Sequence, residues 1–126
     1  MDDLKGQIAS RRWPTEIRLS SDKRRLNVSF DDGTVTSITA ELLRVESPSA
    51  EVQGHGVGQK TTPAGKRNIM ISRIDPVGNY AVRLAFSDGH DTGLFTWDIL
   101  HDYGQRHDSL MANYERRLND LGQSRG

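Results

Sequence analysis

The run Arg25-Leu26-Asn27-Val28-Ser29-Phe30-Asp31-Asp32-Gly33-Thr34-Val35-Thr36-Ser37-Ile38-Thr39 decides the fold class. Leu26, Val28 and Phe30 alternate with polar residues, the period-two signature of a half-buried strand. Asp31-Asp32-Gly33 makes a hairpin turn, because glycine adopts positive φ at little cost. Thr34 to Thr39 returns as a strand. Upstream, Glu16 to Ser20 alternates with Ile17 and Leu19 on one face, and Ser21 to Lys23 turns the chain. Residues 15–39 therefore read as a three-stranded antiparallel meander. Trp13-Pro14 opens it, since proline pushes the preceding residue towards extended geometry. Residues 1–12, polar and mixed in charge, read as a flexible arm.

Downstream, Ala40-Glu41-Leu42-Leu43-Arg44 reads as a short helix that stops near Ser47-Pro48. Gly54 to Gly58 reads as a loop that continues through Thr61 to Lys66. Asn68 to Ile74 is apolar and β-branched, which predicts a strand, and Pro76-Val77-Gly78-Asn79 predicts a turn. Tyr80, Val82, Leu84 and Phe86 then alternate with Ala81, Arg83 and Ala85, so Tyr80 and Phe86 are expected in the core, with Trp97. Ser87-Asp88-Gly89-His90 is another hairpin turn, and Leu94 to Thr96 a further strand. Thr96 caps a helix from Trp97 to Tyr103, which Gly104 ends. Leu110, Tyr114, Leu118 and Leu121 lie at helical spacing, with Asp108 or Ser109 as cap. Residues 104–126 thus form a C-terminal helical extension to a domain over 13–103. The hairpin and helix at Phe30 to Leu43 have an echo at Phe86 to Leu100, offset by 56 at the turn and 57 at the helix. The expected fold is a single α+β domain, a twisted antiparallel β-sheet with short helices on one side.

The 126 residues suit one domain. Seventeen basic and seventeen acidic residues balance, which argues against a dedicated nucleic-acid or anionic-membrane binder. Leu, Ile, Val and Phe make up about 22% of the chain, just above the roughly 20% below which disorder is expected. No cysteine is present, which excludes disulfides, thiolate zinc sites and cysteine nucleophiles. No uncharged run exceeds eight residues, against the about 20 apolar residues a membrane helix needs. A cytoplasmic location is expected.

Two segments carry candidate chemistry, Leu43 to Gly56 and Val77 to Gly93. His90 lies in a turn between Asp88 and Asp91, where an imidazole flanked by carboxylates could ligate zinc or iron. His55, between glycines that let the backbone bend, could be a second ligand. Equally, the two aspartates could serve only to shape the turn. His101 is accounted for by its place near a helix C-terminus. Ser47 and Ser49 lack the G-x-S-x-G context of a hydrolase, and Gly54-x-Gly56-x-Gly58 has neither the spacing nor the following helix of a dinucleotide loop. The basic clusters Arg11-Arg12-Trp13 and Lys23-Arg24-Arg25 read as an arm and an exposed strand face.

At these segments the sequence resembles the gamma-butyrobetaine hydroxylase-like N-terminal domain. The motifs are Leu42-Leu43-Arg44, Ser47-Pro48-Ser49-Ala50-Glu51-Val52 with Gly54-His55, Gly78-Asn79-Tyr80-Ala81, Phe86 to Gly93, and Trp97 with Leu100. Pro14-Thr15-Glu16-Ile17 also fits. The resemblance implies a small α+β domain found alone in bacteria, at the N-terminus of carnitine-synthesis hydroxylases, and fused to P-loop scaffold proteins of iron–sulfur cluster assembly. In the hydroxylases it implies a structural zinc held by three cysteines and one histidine. His90 matches that histidine, and serines stand in the stretch that would carry the cysteines. The iron-binding catalytic domain of those enzymes has no counterpart here.

These readings lead to a non-catalytic accessory or protein-interaction domain, linked to iron–sulfur cluster assembly, with a P-loop scaffold ATPase as partner. Its expected contact surface comprises Arg44, Ser47, Pro48, Ser49, Glu51, His55, Asp88, His90 and Asp91. The alternative is a metal- or small-ligand-binding domain using His90 and His55.

Overall fold

The computed structural model describes residues 13–54 and 60–126. The expected arm at 1–12 and the Gly54–Gly58 loop beyond Gly54, His55 included, lie outside the described residues. Among the described residues, six strands and four helices form one α+β domain in the order β1 (Pro14–Leu19), β2 (Arg25–Phe30), β3 (Val35–Thr39), α1 (Ala40–Val45), α2 (Ala50–Gln53), β4 (Ile71–Val77), β5 (Ala81–Phe86), β6 (Leu94–Thr96), α3 (Trp97–Gln105) and α4 (His107–Asp120). The antiparallel strands are divided between two three-stranded meanders, β1-β2-β3 and β4-β5-β6.

The alternation in β2 places Leu26, Val28 and Phe30 in the core, where Ile38, Leu42, Leu43, Phe95, Leu100 and Tyr114 join them. Thr39 caps α1 by accepting from the Leu42 N–H at 3.2 Å. Thr96 caps α3 by accepting from Ile99 N–H at 3.3 Å. The two meander-plus-helix units thus start their helices with the same device, 57 residues apart.

The units exchange helices. Arg44 on α1 donates to Asp88 in the second unit's hairpin turn at 2.8 Å. His101 on α3 lies 3.6 Å from Asp32 in the first unit's turn and edge-on to Phe30. Where α3 crosses β3, a Cβ on Gly104 would fall 2.3 Å from the Thr36 side chain. At the equivalent crossing, a Cβ on Gly93 would fall 2.3 Å from Ser47 Oγ. Helix α3 thus packs on the sheet of the first unit, and the segment that follows α1 packs against the second unit just before β6.

Several expectations need correction. Gly104 does not end a helix; α3 runs through it to Gln105, because its role is the close approach to Thr36. Helix α4 starts at His107 without a side-chain cap, so neither Asp108 nor Ser109 caps it. β4 begins at Ile71 and runs through Pro76. β4 is an edge strand, where a missing N–H breaks no ladder bond if it faces outward. The turn moves to Gly78–Tyr80, with Gly78 at φ +54°. Tyr80 is 51% exposed rather than in the core, and Trp97 is half-buried, its indole N–H donating to Asn79 O at 3.0 Å. Phe86 is buried as expected.

The last helix belongs to the core. Tyr114 and Leu118 are buried, although Leu121 is exposed. Two buried carboxylates near α1 fasten the segment. Glu41 receives both arms of the Arg125 guanidinium at 2.8 and 2.7 Å. Glu46 receives Arg117 and Lys60, each at 2.6 Å. No described helix is long and apolar enough to cross a membrane.

The crossing at Gly104 yields a test. Alanine has the better helix propensity by about 1 kcal/mol, but overpacking against Thr36 costs roughly 1–3 kcal/mol. Gly104→Ala should lower the urea midpoint, while Gln105→Ala on the exposed side of α3 should not. A midpoint raised by Gly104→Ala would remove the close-approach account.

Candidate functional site

The candidate residues converge where the end of α1, the start of α2 and the β5–β6 turn meet. Asp88-Gly89 forms this turn, with Gly89 at φ +90°. The Gly89 N–H donates to Phe86 O at 2.9 Å, and the His90 N–H donates to Asp88 Oδ1 at 3.0 Å. The turn rotates the His90 ring inward, against Phe86, until its side chain is 2% exposed. From the other side, Ser47-Pro48 breaks the chain after α1. Ser49 stands at the N-cap of α2 but makes no side-chain cap bond, because its hydroxyl faces the histidine.

His90 Nε2 lies 3.0 Å from Ser47 Oγ and 3.3 Å from Ser49 Oγ. His90 Nδ1 lies 3.3 Å from Glu51 Oε2, and Glu51 Oε1 accepts from Thr92 Oγ1 at 3.0 Å. The network assigns a neutral imidazole with the proton on Nδ1, donated to the carboxylate, and Nε2 accepting from a serine hydroxyl. Asp88 Oδ2 accepts from Arg44 at 2.8 Å and Lys66 at 2.7 Å.

The electrostatics follow from these contacts. Burial pushes the His90 imidazole below its ordinary value, and the Arg44 cation reinforces this, against the opposing pull of Glu51 and Asp88. Burial would raise the Asp88 carboxyl, but donation from Lys66, the His90 N–H and Arg44 outweighs it and holds Asp88 at about 2.

A carboxylate–imidazole–hydroxyl chain is the arrangement that activates a nucleophile. Here it cannot act as one in this conformation. Ser47 has no exposed surface, and Gly93 sits on its hydroxyl, leaving no room for a carbonyl. The cluster does not offer the thiolate set of a cysteine-held zinc, since serines stand at 47 and 49 and the sequence has no cysteine; His55, the other histidine of the alternative site, lies outside the described residues. Beside His90 it offers serine hydroxyls already engaged in hydrogen bonds and the Glu51 carboxylate, which is held by the imidazole and Thr92. Among the described residues no group of three or more His, Cys, Asp or Glu side chains is placed to hold a metal ion.

Of the expected surface, Arg44, Ser47, Pro48, Ser49, Glu51, Asp88 and His90 come together. Ser47, Ser49 and His90 are buried, so they act beneath the surface rather than on it. Asp91 is exposed at the rim of this edge, next to Thr92 and beside Arg73 and Arg83. Sequence reasoning missed Lys66, which no local pattern connects to Asp88. It also missed Thr92 and the packing role of Gly93, both within the Asp-Thr-Gly motif it quoted.

The shift at His90 has a defined pH sign. Its folded value lies below the ordinary 6.5, so the unfolded chain binds the proton more readily. Stability is therefore full above about pH 6.5 and is lost as pH falls below it. Chemical denaturation from about pH 7.5 to about pH 5.5 should show this decline, and His90→Gln should flatten it. A wild-type midpoint constant over that window would refute the buried neutral imidazole. Asp88 has the carboxylate sign, with stability present above its ordinary 3.8 and lost as pH falls towards about 2. Asp88→Asn should cost on the order of 2 kcal/mol at neutral pH.

The family described as gamma-butyrobetaine hydroxylase-like, N-terminal, matches residues 17–101. A solved structure described as an NMR solution structure is 43% identical, with 90% of each chain covered and a TM-score of 0.78. A second NMR solution structure is 44% identical, covering 93% of this chain and 87% of its own, also at 0.78. A crystal structure of a DUF971-family protein of unknown function from Acidithiobacillus ferrooxidans is 41% identical. It covers 69% of this chain and 86% of its own at a TM-score of 0.57. No curated protein matches. With its family match spanning both meanders and the buried His90 cluster between them, this chain belongs to the gamma-butyrobetaine hydroxylase-like N-terminal family.

Proposed function

We propose that the chain is a non-catalytic accessory domain that binds another protein, and that its partner is a P-loop scaffold ATPase of iron–sulfur cluster assembly. The observation that carries this reading is the closed state of the His90 cluster. Its reactive groups are bonded to one another and buried, so the cluster fixes the shape of an edge. What that edge presents to solvent is acidic and polar: Glu51, with a side chain 63% exposed, and the exposed Thr92 and Asp91. Glu51 is held by Thr92 and His90, so it meets a partner in one orientation. Preordered charge of this kind steers association and sets register more than it adds affinity. The choice of partner is supported by the fusions that the family resemblance implies, and a cytoplasmic location agrees with it.

Asp91→Lys is the test. Asp91 makes no hydrogen bond among the described residues, so the variant should melt within a few degrees of wild type. In calorimetric titration with a purified P-loop iron–sulfur scaffold ATPase, wild type should bind, and reversal of this rim charge should weaken binding about tenfold. Glu51→Lys should weaken it further and lower stability through the His90 contact. Absence of wild-type binding, or equal binding by wild type and both variants, would overturn the proposal.

A further inference from the structure

We propose a second, separate site: a groove that binds a small oxyanion carrying more than one negative charge, such as a phosphate or a polycarboxylate. A cavity of about 380 Å³ opens between the β1–β2 turn, the start of α1 and the segment before β4, and four arginines line it: Arg24, Arg25, Arg67 and Arg125. Two carboxylates share the lining, and both are held by hydrogen bonds. Asp22 accepts from Ser20 Oγ at 2.6 Å and from the Arg24 N–H at 3.0 Å. Glu41 is taken by both arms of Arg125.

Arg24, Arg25 and Arg67 carry charge into the groove and make no salt bridge among the described residues, although the Asp22 carboxylate acts on Arg24 through space. Arg24 donates only to neutral acceptors, Arg67 O at 2.9 Å and Asn68 Oδ1 at 2.8 Å. Arg25 donates to Ser37 Oγ at 3.0 Å. The Arg67 side chain has no hydrogen-bond partner among the described residues, and it also lines an adjoining cavity of about 190 Å³ together with Arg125. Convergent guanidinium donors with spare N–H groups match the oxygens of a phosphate or carboxylate, frequently two at a time.

The backbone holds this arrangement in place. Lys23, at φ +62°, is the one described non-glycine residue with positive φ. Its carbonyl accepts from the Ile71 N–H at 2.8 Å, and the Arg24 carbonyl accepts from Ala40 N–H at 2.8 Å. The Lys23-Arg24-Arg25 run thus ties the first meander to β4 while its side chains remain available. The chain's zero net charge and the small volume of the groove favour a compact anion over a nucleic acid.

Inorganic phosphate, pyrophosphate and citrate, each titrated at constant ionic strength against chloride, would test the site by amide NMR. Saturable shifts should localise to Arg24, Arg67 and Ile69, with a Kd of about 1 mM or tighter for at least one probe. The ranking of the three probes distinguishes phosphate from polycarboxylate. Arg67→Ala removes no internal bond and should keep the fold, yet weaken binding about tenfold or more, the loss expected for a charge-assisted contact. Arg116→Ala on α4 should bind as wild type does. Shifts reproduced by chloride, spread evenly over surface cations, or unchanged by Arg67→Ala would overturn the proposal.

Discussion

The close approach of two glycines to side chains of the opposite unit is the constraint on which the rest of the domain depends. Gly104 meets Thr36, and Gly93 meets Ser47, at distances that no side chain on either glycine would allow. The four positions pair across an offset of 57, as do Thr39 with Thr96 and Arg44 with His101. The close approach brings the start of β6 against the loop after α1, and this places the Ser47 hydroxyl on His90 Nε2. A bulkier residue at 93 would separate the two segments and open the cluster. The shape of the candidate edge is thus a result of main-chain packing before it is a result of polar chemistry.

Charge then fastens what packing brings together. Glu41 and Glu46 lie almost fully buried, and each is matched by arginine from the C-terminal segment. Glu46 does more than pair. Its carbonyl accepts from Tyr103 Oη at 2.7 Å and lies within reach of the Gln53 amide, so one residue contacts α2, α3 and α4. Such pairs add modest net stability, because desolvation offsets much of the attraction, but losing one partner of a buried pair is costly. They specify one way of docking the last helix. Asp88 does the same on the opposite edge, joining Arg44 to Lys66.

Local periodicity made most of the elements legible. The ends of β2 and β6 and the Thr96 cap could be read from neighbouring residues alone, since alternation and capping are short-range effects. What escaped was long-range. Gly104 looked like a helix stop because nothing nearby announces that Thr36 will press on it. Pro76 looked like a turn residue because edge position is a property of the sheet. Tyr80 continued the alternation of β5 but lies beyond the strand, where the turn leaves it exposed. For the site, family motifs drew attention to Ser47, Ser49, Glu51 and His90. They did not reveal that three of the four are buried, since burial follows from the helix exchange. The arginine groove was visible only as a short basic run, because its four arginines come from three separate parts of the chain.

The exchange of helices between the two units also governs how such a chain reaches its native state. The bonds that lock the halves span long stretches of sequence: 44 residues for Arg44 to Asp88, 71 for Arg117 to Glu46 and 84 for Arg125 to Glu41. Helix α3 covers part of the first meander as well as touching β6 of its own unit, so structure formed before α3 leaves apolar surface of the first sheet open. Loop-closure entropy must be overcome before these contacts form, which slows folding relative to a chain of local contacts. The same wiring makes loss of structure concerted: once one unit lets go, its neighbour loses its roof as well. A nascent chain that has emerged only through β3 and α1 therefore lacks the covering it needs, and its first sheet waits, exposed, for residues still to be made.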